Sequence, residues 1–174
     1  MTAGDSLEHL WTPYRMAYIR GESKPTDEGK DACPFCQAGG SDDDAASLVV
    51  HRSRVAYVVL NLYPYNPGHL MVCPYRHVPW YDELTADEVT EIGELTQTAM
   101  RVVREVSAPH GFNLGMNQGT VGGAGIAAHL HQHVVPRWGG DTNFMPVIAQ
   151  TKVMPQLLED TRRLLATAWP TDPA

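Results

Sequence analysis

His129-Leu130-His131-Gln132-His133-Val134-Val135-Pro136 sets three imidazoles at alternate positions of an otherwise apolar stretch. Extended chain sends successive side chains to opposite faces, so the three rings line one face while Leu130, Gln132 and Val134 face the other way. Histidine changes charge near neutral pH and serves as nucleophile, base or metal ligand. Three in register put a reactive nitrogen beside groups that set its tautomer. A solvated polar face is the weaker alternative, because three of the chain's eight histidines fall within these five residues. Directly upstream lies Gly119-Thr120-Val121-Gly122-Gly123-Ala124-Gly125. Glycines permit positive φ and let backbone N–H groups converge on an anion. A flexible hairpin tip has the same composition, but a glycine loop that feeds the histidine strand places anion donors beside a nucleophile.

Working outward, β-branched runs predict strands at residues 48–51, 55–62, 69–73, 112–117 and 129–136, with a Pro-Gly turn at 63–68. Thr85 and Glu88 have the spacing of a capping box. The helix it opens runs over about 86–106, with Val89, Ile92, Leu95, Ala99, Val102 and Val103 on the apolar face and Pro109-His110-Gly111 as the stop. Residues 6–20 have helical spacing, 21–47 read as a long loop, 144–148 form a short apolar segment, and 155–169 predict a last helix. Hairpin-length gaps between most strands predict an antiparallel sheet packed by a long helix and a C-terminal helix, an α+β domain.

At 174 residues the chain fits a single domain over 1–174, since domains usually hold ~100–200 residues. Its core is expected at 48–141, with a helix and Cys-x-x-Cys loop in 1–47 and a helical extension over 142–174. No apolar run nears the ~20 residues of a membrane span, so no membrane partner is expected. Residues 1–5 lack the basic-then-apolar pattern of a leader, and three cysteines are too few for a disulfide framework. The expected location is the cytoplasm. Thirteen Lys and Arg against twenty Asp and Glu leave a net charge of −7, which argues against nucleic acid held on a basic face. A small anion held by local N–H groups remains compatible with that charge.

Cys33-Pro34-Phe35-Cys36 has the spacing of half a zinc knuckle or of a redox pair. The redox reading wants a βαβ context that the following sequence does not supply, and the metal reading needs two further ligands. Two ordinary cysteines in a loop are the third reading. Cys73 reads as a small buried hydrophobe, and Asp42-Asp43-Asp44 as a solvated acidic loop rather than a magnesium site. Arg76, Arg137 and Lys152 are the cations available for outer phosphates.

The triad with its glycine loop resembles the histidine triad (HIT) superfamily of nucleotidyl hydrolases and transferases. Asn61-Leu62-Tyr63-Pro64-Tyr65-Asn66-Pro67-Gly68-His69-Leu70-Met71-Val72 resembles that family's N…P…PGHxLV segment. Phe112-Asn113-Leu114-Gly115-Met116-Asn117-Gln118-Gly119 resembles its next strand, and His133 to Asp141 its close. The likeness covers residues 48–141 well and is nearest to the branch cleaving diadenosine polyphosphates, including bacterial HIT-type diadenosine tetraphosphate phosphorylases.

The resemblance implies a HIT fold and conversion of diadenosine tetraphosphate and phosphate to ADP and ATP. It implies that His131 attacks the α-phosphorus to form a nucleotidyl-histidine, and that His133 steadies the charge that builds there. It also implies that the loop 119–126, with the amides of Gly123, Ala124, Gly125 and Ile126, binds phosphate oxygens. Asn117 matches an amide that contacts the bridging or leaving region. Asn61 matches the residue that holds ribose hydroxyls, with Val59, Leu60 and Leu62 flanking the base. The family often has Ser, Thr or Gln just before the triad, whereas Gly125-Ile126-Ala127-Ala128 has no side-chain donor there.

Several bacterial members carry a structural zinc. The likeness assigns its ligands to Cys33, Cys36, His77 and His129, with His51 and His110 as rivals, and no organic cofactor. The implied partners are the AMP moiety of a dinucleoside polyphosphate, inorganic phosphate, and a second copy of the chain in a two-fold homodimer, with Trp80 and Tyr81 available to join the seam. Hydrolysis of dinucleoside polyphosphates, or cleavage of nucleoside phosphoramidates by the same histidine, is the alternative activity. A nucleotide-binding interaction protein is the alternative outside enzymology.

Overall fold

The structure is a computed structural model and describes residues 29–141 and 157–171. The expected helix at 6–20, the segment 144–148 and Lys152 lie outside the described residues. In chain order the elements are α1 (Pro34–Gly40), β1 (Val49–Arg52), β2 (Ala56–Leu60), β3 (Leu70–Pro74), α2 (Ala86–Ser107), β4 (Gly111–Gly115), β5 (Gln132–Arg137) and α3 (Leu158–Ala168). The strands form one sheet in the order β1-β2-β3-β5-β4, with every pair antiparallel. The α+β architecture expected from the short strand gaps is therefore the observed one.

Strand alternation gives the central sheet two unlike covers. One face (Ala56, Val58, Leu60, Leu70, Val72 and Val134) packs against Ile92, Leu95, Ala99, Val102 and Val103 of α2 and Leu165 of α3. These α2 residues recur at helical spacing, so they present one apolar stripe to the sheet. The opposite face (Tyr57, Val59, Met71 and Cys73) packs against Cys33, Phe35 and Ile126. Register puts His133 opposite Met71, so His133 belongs to this second face, away from the long helix.

Two polar devices lock α2 onto the sheet. Thr85 and Glu88 form the expected capping box: Thr85 Oγ1 accepts from the Glu88 N–H at 3.2 Å, and Glu88 Oε2 accepts from the Thr85 N–H at 2.8 Å. Glu91 Oε1 accepts the backbone N–H groups of Val55 and Ala56 at 2.7 and 3.0 Å, which ties the helix to the start of β2. Arg76 holds both oxygens of Glu88, at 2.7 and 2.6 Å. That pairing withdraws Arg76 from the phosphate-binding role considered for it. Arg137 is likewise engaged by Asp141 and by Asn113 Oδ1.

Two boundaries differ from expectation. The stretch 21–47 contains α1 rather than loop alone. Proline at its first position suits the first turn, but seven residues ending in two glycines carry no helical periodicity to read. The triad strand begins at Gln132 rather than His129. The Leu130 N–H turns to the Val78 carbonyl at 2.7 Å, so the segment ahead of β5 is held by a loop.

The Arg76 guanidinium and the capping-box N–H hold the Glu88 carboxyl down to about 2 from an ordinary 4.5. A carboxylate depressed in this way stabilises the fold above its unfolded pKa and loses that contribution as pH falls through the folded one. Glu88→Gln is expected to lower unfolding free energy at pH 7 by about 1–2 kcal/mol. The gap from wild type should shrink between pH 4.5 and 2 in denaturant melts; a constant gap across that window would refute the assignment.

Candidate active site

The site grows from the second face of the sheet. His133 lies on it in β5, while His131 and His129 stand in the segment that leads into β5, not on a common strand face as expected, with His129 fully buried and His131 only 4 % exposed. A buried imidazole has to give each ring nitrogen a suitable partner, and those partners decide the tautomers. His131 Nδ1 lies 2.8 Å from the backbone oxygen of His129. A carbonyl only accepts, so Nδ1 carries the proton and Nε2 of the neutral ring carries the lone pair. Burial pushes the His131 pKa below its ordinary 6.5, opposed in part by the bond to that carbonyl. The ring is therefore neutral and nucleophilic at physiological pH.

A second chain of bonds orders His133. The Tyr65 backbone N–H donates to His69 Nδ1 at 3.1 Å. For a neutral His69 the proton is then on Nε2, which lies 2.9 Å from His133 Nδ1. His133 Nδ1 accepts, so the proton of a neutral His133 sits on Nε2. Tyr65 also stacks on His69 with centroids 4.9 Å apart, and the His131 and His133 rings meet edge-on at 4.8 Å. The sequence reading assigned His69 no role. Its signal is its place after Pro67-Gly68, where a tight turn with Gly68 at φ +74° drops a fully buried imidazole beside the triad.

The structure distributes the other expected site residues unevenly. Asn61 closes the same turn: its N–H bonds the His69 carbonyl at 2.9 Å, its Oδ1 accepts from the Tyr63 N–H at 2.9 Å, and its Nδ2 lies 3.3 Å from His69 Nδ1. Leu60 is buried in the α2 core, on the face away from the site; Val59 lies on the site's own face, in the second core, and Leu62 is exposed. β4 ends at Gly115, opposite His133, and Asn117 follows two residues on. In the glycine loop the Gly123 N–H bonds Thr120 O at 3.1 Å and the Ala124 N–H bonds Gly119 O at 3.2 Å. Those two amides close the loop on itself. The Gly125 and Ile126 amides are not spent on that closure.

Cys33, Cys36, His77 and His129 converge, with their four ligand atoms within 4.8 Å of one another. His129 Nδ1 lies 3.4 Å from both sulfurs, and His77 Nδ1 lies 3.2 Å from Cys36 Sγ. Ligands on a tetrahedral zinc, at about 2.3 Å for sulfur and 2.1 Å for nitrogen, stand about 3.6 Å apart. The donor set and spacing fit such an ion. His129 Nε2 bonds the Pro74 carbonyl at 2.9 Å, which leaves Nδ1 with its lone pair toward the cluster, as metal-ligating histidines are usually oriented. Burial lowers the His129 pKa to about 4, and burial together with Cys33 raises the Cys36 thiol to about 11. The rivals are elsewhere: His51 stacks on Trp169 at 5.0 Å, and His110 Nδ1 accepts from the Gly139 N–H at 2.8 Å. Cys73 is fully buried against the second core, as expected of a small hydrophobe.

Comparison with known proteins identifies the family. The HIT domain model matches residues 43–140. The chain is 53% identical over 172 residues to the AP-4-A phosphorylase of Mycobacterium tuberculosis, covering 97% of this chain and 88% of that one. It is 32% identical over 95 residues to the asymmetrical bis(5'-nucleosyl)-tetraphosphatase of Schizosaccharomyces pombe, covering 55% of this chain and 52% of the relative. Among solved structures, a Zn-bound histidine triad family protein from Mycobacterium smegmatis superposes with a TM-score of 0.64 at 25% identity, covering 81% of this chain and 95% of that one. With its three alternating histidines, its glycine loop and a family match spanning 43–140, the chain belongs to the HIT domain family.

Proposed function

We propose that this protein is a diadenosine tetraphosphate phosphorylase that works through a covalent nucleotidyl-histidine on His131. The observation that carries nucleotidyl transfer is the 2.8 Å bond from His131 Nδ1 to the His129 carbonyl. It holds the proton at one end of the ring and leaves Nε2 as the nucleophile. The choice of phosphate as acceptor rests on the likeness to the M. tuberculosis phosphorylase.

In the first step Nε2 bonds to the α-phosphorus and the bridging P–O bond breaks, releasing ATP. The imidazolium formed is stabilised by its Nδ1–H bond to the His129 carbonyl, and covalent capture divides one hard displacement into two easier ones. In the second step an oxygen of inorganic phosphate bonds to that phosphorus and the N–P bond breaks. ADP leaves and the neutral ring returns. His133 donates from Nε2 to the phosphoryl oxygens, with the Gly125 and Ile126 amides beside it. No hydroxyl precedes the triad in 125–128, so a side-chain proton donor to the leaving group is missing there. ATP is a stable polyphosphate leaving group that does not require one.

Cys33, Cys36, His77 and His129 would hold a zinc ion, whose chemistry there is structural: it pins α1 to the sheet as a closed four-ligand site. The convergence of the four ligand atoms supports this. A two-fold homodimer in the cytoplasm completes the proposal. Trp80 and Tyr81, 45 % and 43 % exposed, are apolar surface available to its seam.

With diadenosine tetraphosphate, ADP and ATP should appear only when phosphate is supplied; AMP and ATP formed without it would establish a hydrolase. His131→Ala should reduce turnover by about 10³-fold or more, and retained turnover would exclude the mechanism. His69→Ala should lower kcat on the order of 10²-fold with little change in KM. His69→Gln, which can still donate to His133, should recover part of the loss; unchanged kcat in both would refute the His69–His133 coupling. Metal analysis of freshly purified protein should find zinc. Cys36→Ser should lose it and unfold more easily by more than about 4 kcal/mol, whereas an equally stable, metal-free wild type would exclude the zinc.

A further inference from the structure

Phe35 stands inside the Cys-x-x-Cys turn, between two ligand atoms of the metal-binding group, yet its ring reaches the nucleophile. Its centroid lies 4.7 Å from that of His131 and 5.5 Å from that of His129. The side chain is 8 % exposed. Its carbonyl accepts the Tyr57 hydroxyl at 2.6 Å, in the second core. The turn is thus held at three points: Cys33, Cys36 and the Tyr57 bond.

We propose that Phe35 is a positioning residue for His131. It is carried by the metal-binding turn so that the integrity of that turn governs the placement of the nucleophile. The inference rests on the assignment of His131 as nucleophile. The physical argument is steric and electrostatic. An imidazole can rotate about Cβ–Cγ, and a single Nδ1 bond to a carbonyl does not prevent the ring from rocking. Phe35 covers one ring face and His133 meets the same ring edge-on at 4.8 Å. Between them they restrict rocking while keeping water from that face. Displacements near 1 Å at a reacting atom can cost about 10²-fold in rate, so a ring that merely fills space and a ring that positions differ measurably. Phe35 touches neither substrate nor metal in this scheme; it acts only through His131.

Phe35→Ala and Phe35→Leu test this in the full-length protein, with metal content measured on each preparation. For metal-replete Phe35→Ala, kcat should fall on the order of 10²-fold while KM for diadenosine tetraphosphate changes little. Phe35→Leu, which refills most of the volume, should recover part of that loss. Two-bond proton–nitrogen NMR of ring-labelled histidine should show the His131 Nδ1–H tautomer in wild type. In Phe35→Ala it should show an averaged ring. The proposal is overturned if kcat per metal-loaded chain stays within twofold of wild type in both variants, or if activity falls only in proportion to lost metal. A wild type that never forms a nucleotidyl-histidine refutes the mechanism on which it rests; normal intermediate formation in metal-replete Phe35→Ala refutes Phe35 alone.

Discussion

A ring nitrogen taken out of water must find a partner of the right sense, and backbone groups, which cannot change sense, decide the matter for the buried imidazoles here. Pro74 O faces His129 Nε2, His129 O faces His131 Nδ1, and the Tyr65 N–H faces His69 Nδ1. A carbonyl dictates a proton and an N–H dictates a lone pair. From those three contacts follow a lone pair on Nδ1 of His129, a lone pair on Nε2 of His131 and, through His69, a donor on His133. The chemistry is specified by chain geometry before any substrate arrives, which is what preorganisation requires.

The sheet separates that chemistry from the bulk of the stabilising burial. The face toward α2 and α3 is a continuous apolar core. The other is smaller and mixed, and it holds the sulfurs, Phe35 and the histidines. A short α1 with two glycines and no side-chain cap has little stability of its own. The Tyr57 hydroxyl bond to the Phe35 carbonyl ties it to the sheet, and Cys33 and Cys36 contact His129 and His77 beside it. Arg52 adds to this from β1, donating to the carbonyls of Ala38, Gly39 and Ser41.

What could be read in the sequence was what local periodicity records. Short, β-branched apolar runs marked β2 and β3, and Thr85 with Glu88 marked the start of α2 to the residue. The triad announced itself because its spacing is also local. Contacts across the chain were silent. His129 and Cys33 are 96 residues apart, and only family likeness, not spacing, joined them. Leu60 and Leu62 look alike in sequence, but one faces the α2 core and the other solvent, since strand β2 ends at Leu60. The place of His69 after Pro67-Gly68 did not reveal its role, because that role depends on His133, 64 positions later. Arg76 and Arg137 looked available because nothing in the linear chain shows that Glu88 and Asp141 hold them.

That last pair bears on how an acidic chain handles a polyphosphate. With a net charge of −7, attraction from the surface as a whole works against an anionic substrate. Two of the cations considered for phosphate are paired with carboxylates: the Asp141 carboxyl is held well below the usual range by Arg137, as Glu88 is by Arg76. In the proposed function, recognition then falls to donors that carry no formal charge, the Gly125 and Ile126 amides and a neutral imidazole. This choice has a chemical advantage. A cationic histidine would bind phosphate more tightly but could not attack it, because the lone pair would already hold a proton. Under the proposed mechanism, burying His131 and offering neutral donors weakens ground-state attraction and keeps the ring able to attack, which favours the transition state over the bound substrate.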